Sequence, residues 1–149
     1  MTESATPRLA LPMLAVGQAQ KEITHNEALV LIDALIAARA VEANAVTPPA
    51  SPQAGQCWAL GAAPTGVWQG KGGQLAIATA GGWRFCDVED DFAVRIGNGG
   101  ARWTRAGSGW IAPPALALPN GGSVIDSEAR AAIAVLKSAL AASGQLASN

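Results

Sequence analysis

The sequence predicts an α+β fold: a small antiparallel β-sheet or barrel flanked by an N-terminal hydrophobic helix and a C-terminal amphipathic helix. Three observations predict it. Apolar residues recur at helical spacing over 24–42 and again between Asp126 and Gly144. Between these stretches the apolar period switches to two, in short runs separated by glycine-rich turns. All five tryptophans fall in that middle zone. At 149 residues the chain has the size of one ordinary domain and is long enough to bury a core.

The first zone is 1–44. A polar start leads into Leu9 to Gly17, an apolar segment that Pro12 and Gly17 make extended rather than helical. Thr24-His25-Asn26-Glu27 fits a capping box, with Thr24 as N-cap and Glu27 reaching back to it. The helix behind it, Ala28 to Val41, is apolar on most of its circumference and must be covered on most sides. Copies of the same chain would supply that cover, and Leu29, Ile32, Leu35 and Ile36 are the candidate oligomer interface.

The second zone, 45–118, opens on Thr47-Pro48-Pro49-Ala50-Ser51-Pro52, a stiff linker. Period-two runs follow at Gln56 to Leu60, Gln74 to Ala78, Trp83 to Phe85, Phe92 to Ile96, Ala101 to Arg105 and Trp110 to Ala112. Pro64-Thr65-Gly66, Gly72-Gly73, Gly81-Gly82, Asn98-Gly99-Gly100 and Gly107-Ser108-Gly109 mark the turns. Alternation puts Cys57 and Cys86 on the face opposite the tryptophans; two cysteines in a chain this short read as small buried hydrophobes rather than a disulfide framework. The third zone, 119–149, begins at the breaker Pro119-Asn120-Gly121-Gly122. Ser123 or Asp126 caps a helix carrying Ala129, Ile133, Leu136 and Leu140 on one stripe, and Gly144 stops it.

Composition bounds the function. The chain is 50% hydrophobic but only 14% charged, against roughly 25% charged in ordinary domains. Disorder is excluded by the apolar content, and a membrane span by the lack of a run of about 18 apolar residues. The net charge of −1 leaves no broad basic field for nucleic acid. Arg8 ahead of Leu9 to Val16 imitates a signal peptide, but Pro12 interrupts the run and Glu3 sits in its basic region. So apolar a surface stays in solution most simply when a partner chain covers part of it.

Chemistry-bearing residues are sparse, and no enzyme, cofactor or metal is expected. His25 is the single histidine, read as a helix-start residue rather than a general base. No zinc spacing or phosphate-cradling glycine loop occurs. Asp87, Glu89, Asp90 and Asp91 form one acidic cluster, read as a solvated turn; a hydrolase of cell-surface polysaccharide would need two such carboxylates facing across a cleft. Trp68, Trp83, Trp103 and Trp110 are candidate stacking residues for a bacterial surface glycan, with Arg84, Arg95, Arg102 and Arg105 interleaved. The competing reading is that tryptophan fills a core whose other members are alanine and glycine.

The stretch Leu9 to Glu22, with Gln18-Ala19-Gln20-Lys21-Glu22, then Thr24-His25-Asn26-Glu27-Ala28-Leu29 and Asp33-Ala34-Leu35, resembles the opening of a family of unassigned domains in tailed phages, prophages and gene transfer agents. Pro52-x-x-Gly55-x-x-Trp58, Gly66-x-Trp68-x-Gly70, Gly82-Trp83-x-Phe85 and Trp110 extend the resemblance over nearly the whole chain. It implies a structural or adhesion module of tail-fibre or head-spike proteins, in a virion or phage-like particle and in the bacterial cytoplasm during assembly. It supplies no catalytic residues. Phage spikes and fibres are commonly trimers, so by analogy the expected state is a homotrimer joined to other phage-like structural proteins. The chain ends soon after the resembling region, which leaves a stand-alone adaptor, a prophage remnant and a piece of a longer fibre all open.

Overall fold

The computed structural model describes residues 5–14, 21–97, 100–123 and 126–147. The predicted turn at Asn98-Gly99 and the Ala15 to Gln20 part of the resembling string lie outside the described residues.

Helix α1 spans Lys21–Leu35. Strands β1 (Arg39–Ala40), β2 (Ala43–Ala45) and β3 (Cys57–Leu60) follow, then a 3-10 turn at Gly66–Trp68. Next come β4 (Leu75–Thr79), β5 (Gly82–Cys86), β6 (Ala93–Ile96), β7 (Arg102–Ala106), β8 (Gly109–Ile111) and finally α2 (Ser127–Ala142). The strands make two four-stranded sheets, β2-β3-β4-β5 and β1-β6-β7-β8. The fold is α+β, with open sheets rather than a closed barrel. Both sheets are mixed, because β1 joins β6 and β2 joins β3 in parallel, while the hairpin-linked strands are antiparallel. Residues 39–45 send one short strand to each sheet, so the chain divides there instead of closing a ring of strands.

The six period-two runs all become strands, β3 to β8. Their alternation has a consequence for packing. Cys57, Ala59, Leu75 and Ile77 face a core shared with Val94 and Trp110 of the other sheet, with Ala34 near the end of α1 and with Ala38 just past it. Trp58, Leu60, Ala76 and Ala78 face a second core, closed by Trp68 with Trp83 and Phe85 at its margin. The central strands β3 and β4 of the β2-β3-β4-β5 sheet are thus buried on both faces. The β4 alanines Ala76 and Ala78 leave the depth that indole rings on this second face fill.

The helix differs from its prediction at both ends. It begins before Thr24, so Thr24, His25, Asn26 and Glu27 lie inside it and make no capping box. The polar pair is used over longer range. Asn26 accepts from the Leu14 N–H at 2.9 Å and donates to the Leu14 carbonyl at 3.1 Å, and Glu27 pairs with Arg84 of β5 at 2.8 Å. The helix stops at Leu35 rather than Val41. The Arg8 guanidinium binds the carbonyls of Asp33, Ala34, Ile36 and Ala37, and Ala37 turns the chain at φ 48°. A cation on the last carbonyls is a helix C-cap, here delivered from the N-terminal arm. Residues 39–45 then straddle the predicted boundary at 44/45.

Two further links fix the layers. Gly55 adopts φ +88°, and a Cβ there would come within 2.6 Å of Pro7 Cβ, so the arm packs directly on this glycine. The Asn44 amide donates to the Trp110 carbonyl and accepts from the Trp110 N–H, both at 2.8 Å. β8 is an outer strand of its sheet, and Asn44 satisfies part of its free edge while tying it to β2.

Candidate functional site

The predicted interface residues do not share one environment. Leu35 packs partly against the chain's own core, as do Val30 and Leu31. Leu29 is half-buried. Ile32 and, just past the helix, Ile36 are exposed on its outward side; Ile23 is exposed too, but half a turn round from Ile32, at the cavity between α1 and the N-terminal arm. Among the described helices, the other uncovered apolar face is on α2. This 16-residue helix buries none of its side chains, although Ile133, Leu136 and Leu140 fall on one stripe, with Leu136 62% exposed. α2 is held at its ends. Asp126 caps it by accepting from the Ala129 N–H at 2.9 Å. Past its C-terminus the Gly144 carbonyl accepts from Arg102 N–H of β7 at 2.9 Å, and Leu146 is buried. The spacing of Ala129, Ile133, Leu136 and Leu140 was the signal for this uncovered stripe.

The tryptophans divide between the two cores. Trp68 is fully buried and Trp110 nearly so, which corrects their reading as glycan platforms: a sealed ring offers no face to a sugar. Trp83 and Trp103 are half-buried against opposite cores. Trp58, Trp68 and Trp83 pack on one another with centroids 5.0–6.0 Å apart; Trp83 meets the other two edge-to-face, at 75° and 82°, and Trp58 and Trp68 are tilted at 44°. Gly66 at φ +60° opens the 3-10 turn that swings Trp68 inward, so the Gly66-x-Trp68 spacing is a packing device.

The acidic loop is organised by one guanidinium. Arg105 of β7 reaches Asp90 at 3.6 Å and Asp87 at 3.8 Å and donates to the Val88 carbonyl. Asp90 also accepts from the Gly107 N–H at 3.0 Å. Asp87, Glu89, Asp90 and Asp91 are all exposed on this one short loop, so they do not flank a cleft from opposite walls. Among the described residues no group of three or more His, Cys, Asp or Glu is placed to hold a metal ion, and no described helix is long and apolar enough to cross a membrane.

Cys57 and Cys86 are free thiols. Both face the core between the sheets, Cys57 opposite Ile77 and Cys86 opposite Leu75, so β4 separates them. Burial pushes the Cys57 thiol up to about 12, and burial with the nearby Asp87 carboxylate raises Cys86. A protonated thiol is a poor nucleophile, and no base is placed beside either one by the contacts of the described residues.

Among the described residues, three cavities at the surface bear on the site. One of 340 Å³ lies between the N-terminal arm, α1 and the β4–β5 hairpin, with Pro7, Met13, Ile23 and Val30 among its walls. The other two, of 380 and 190 Å³, lie on the outer side of the β1-β6-β7-β8 sheet and share Arg102.

No curated protein and no solved structure matches the chain. A family model described as "Protein of unknown function (DUF2793)" matches residues 25–111. The match starts within α1 and ends with β8, so it takes in both sheets and leaves out α2 and the arm that carries Arg8. It covers more than half of the chain, which therefore belongs to the DUF2793 family of proteins of unknown function.

Proposed function

We propose that this chain is a non-enzymatic structural protein of phage-like particles, a homotrimeric base or adaptor that attaches a fibre or spike. The observation that carries the self-association is α2, a helix with an apolar stripe at Ile133, Leu136 and Leu140 and no buried side chain. Helices with such stripes bury them against other helices, and the outward side of α1 adds Ile32, with Ile36 just past its end. The phage setting draws its support from the resemblance of the Gln18 to Glu22 and Thr24 to Glu27 strings. The partner would be another particle protein, docked on the DUF2793 sheets or carried by the trimer.

Two measurements test the reading. Light scattering at micromolar concentration is expected to give three times the chain mass of 15.0 kDa; a stable monomer overturns the trimer. Mass spectrometry of particles purified from a producing strain is expected to find the chain in the particle fraction. Its absence from particles that carry complete fibres overturns the structural role.

A further inference from the structure

The outer side of the β1-β6-β7-β8 sheet carries a row of like charges. Arg39 stands opposite Arg95, and Arg95 opposite Arg102, on three adjacent strands. Directly opposed residues share a face. Their neighbours Ala40, Ile96, Val94 and Trp103 point the other way, into the core, so all three guanidiniums project outward. Like charges placed directly across strands destabilise a sheet. Among the described residues none of the three has a carboxylate within ion-pair distance; the ion pairs engage Arg84 and Arg105 instead.

The three arginines are not equivalent. Arg95 is half-buried and fixed. It donates to the Ser143 carbonyl at 2.9 Å and the Gly100 carbonyl at 3.4 Å, and so occupies the C-terminal end of α2. A Cβ at Gly144 would come within 2.8 Å of its Nη1. Arg39 and Arg102 flank it and are exposed. Arg39 has one long bond, to the Gly97 carbonyl at 3.4 Å. The 190 Å³ cavity is lined by all three arginines with Ala37, Ala38 and Val94 among its other walls. Arg39 and Arg102 stand two strands apart, about 10 Å at the backbone, a span that two arginine side chains close. At the far side of Arg102 the 380 Å³ cavity continues past Thr104 and Ile111 to Pro113, with Asp91 as its acidic member.

We propose that this face is a binding site for a single oxyanion, a carboxylate or phosphate group, held by Arg39 and Arg102 over the fixed Arg95. Guanidinium is the side chain best matched to planar, two-point recognition of these groups. An anion across the row removes the repulsion that the register imposes. The small cavity limits the charged group to a compact one, and Asp91 beyond Arg102 works against an extended polyanion. The site is complete within one chain and is independent of the trimer.

The test is titration of the whole chain with inorganic phosphate and, separately, with glucuronate, followed by amide NMR, with chloride at matched ionic strength as the control. Saturable shifts are expected at Ala93 to Ile96 and at Arg102. Replacing Arg39→Ala and Arg102→Ala together is expected to weaken binding by about tenfold per arginine, the scale of a charge-assisted hydrogen bond. Both side chains are exposed, and amide shifts away from this face report that the variant is folded. Tighter binding of phosphate assigns the site to a phosphate group, and tighter binding of glucuronate to a carboxylate. No saturation with either anion, or equal affinity in a folded double variant, overturns the proposal.

Discussion

Arg8 and Asp33 each hold the other's main chain. The Asp33 carboxylate accepts from the N–H of Arg8 at 3.0 Å and of Leu9 at 2.6 Å, while the Arg8 guanidinium collects the carbonyls at the end of α1. Asp33 is buried at 2% exposure. One residue pair therefore both docks the N-terminal arm and terminates the helix. Asp33→Ala leaves two backbone donors without acceptors, each at a cost of about 1–3 kcal/mol. The expected result is a lower urea midpoint and faster proteolysis within residues 5–14. Arg8→Lys is expected to recover little of an Arg8→Ala loss, because one ammonium cannot span several carbonyls. An Asp33→Ala chain as stable as the parent would remove this account.

Trp68 joins the 3-10 turn to the β2-β3-β4-β5 sheet and touches Trp58 and Trp83. Its ring is fully buried. Trp68→Ala is expected to cost about 3–5 kcal/mol, the range for deleting a core aromatic, read by urea unfolding with tryptophan fluorescence. The loss belongs to stability, whatever ligand is added. A folded Trp68→Ala chain that fails only in glycan binding would return Trp68 to the role of a platform.

How much of this was legible depends on the range of each interaction. The strands from Cys57 to Ile111 were readable because their pattern is local. Trp58 and Leu60 alternate with Cys57 and Ala59, and turns such as Gly81-Gly82 separate them. β1 and β2 were not readable. They are two and three residues long, and what makes them strands is pairing with Arg95-Ile96 and Ala59-Leu60, far away in sequence. The capping box failed for the same reason: Asn26 and Glu27 suit a helix start, but Leu14 and Arg84 claim them. For the candidate site, period gave the apolar stripes of both helices, but which one the chain covers itself depends on where the sheets lie. The Arg39-Arg95-Arg102 row needed the register of three strands.

Alkaline pH acts on the core through Cys57. Its thiol is raised by burial from the ordinary 9.0 to about 12. Below pH 9 it is protonated both folded and unfolded and has no effect on the pH dependence. Between pH 9 and 12 the unfolded chain loses the proton while the folded chain keeps it, so stability falls with rising pH. Urea unfolding at pH 8, 9 and 10 is expected to show this decline, and Cys57→Ala, though less stable at pH 8, is expected to show less of it. A thiol reagent at pH 8 is expected to leave Cys57 unmodified in the folded chain, because the thiolate is the reactive form. Rapid labelling of native Cys57 would contradict its burial.

The two exposed apolar helix faces make separable contributions to assembly. Leu136 on α2 is 62% exposed and Ile32 on α1 is 44% exposed, so aspartate at either position leaves the chain's own cores in place. If α2 forms the seam between chains, Leu136→Asp buries a charge there and breaks it. The expected outcome is a monomer by light scattering, and loss of the rise in Tm with concentration that a self-associating parent shows. Ile32→Asp is expected to weaken the assembly less, since α1 already spends Val30, Leu31 and Leu35 on the intrachain core. The reverse ranking would put the seam on α1, where the sequence first placed it at Leu29, Ile32, Leu35 and Ile36. An unchanged trimer in both variants would mean that neither helix face is the seam and that the sheets meet instead.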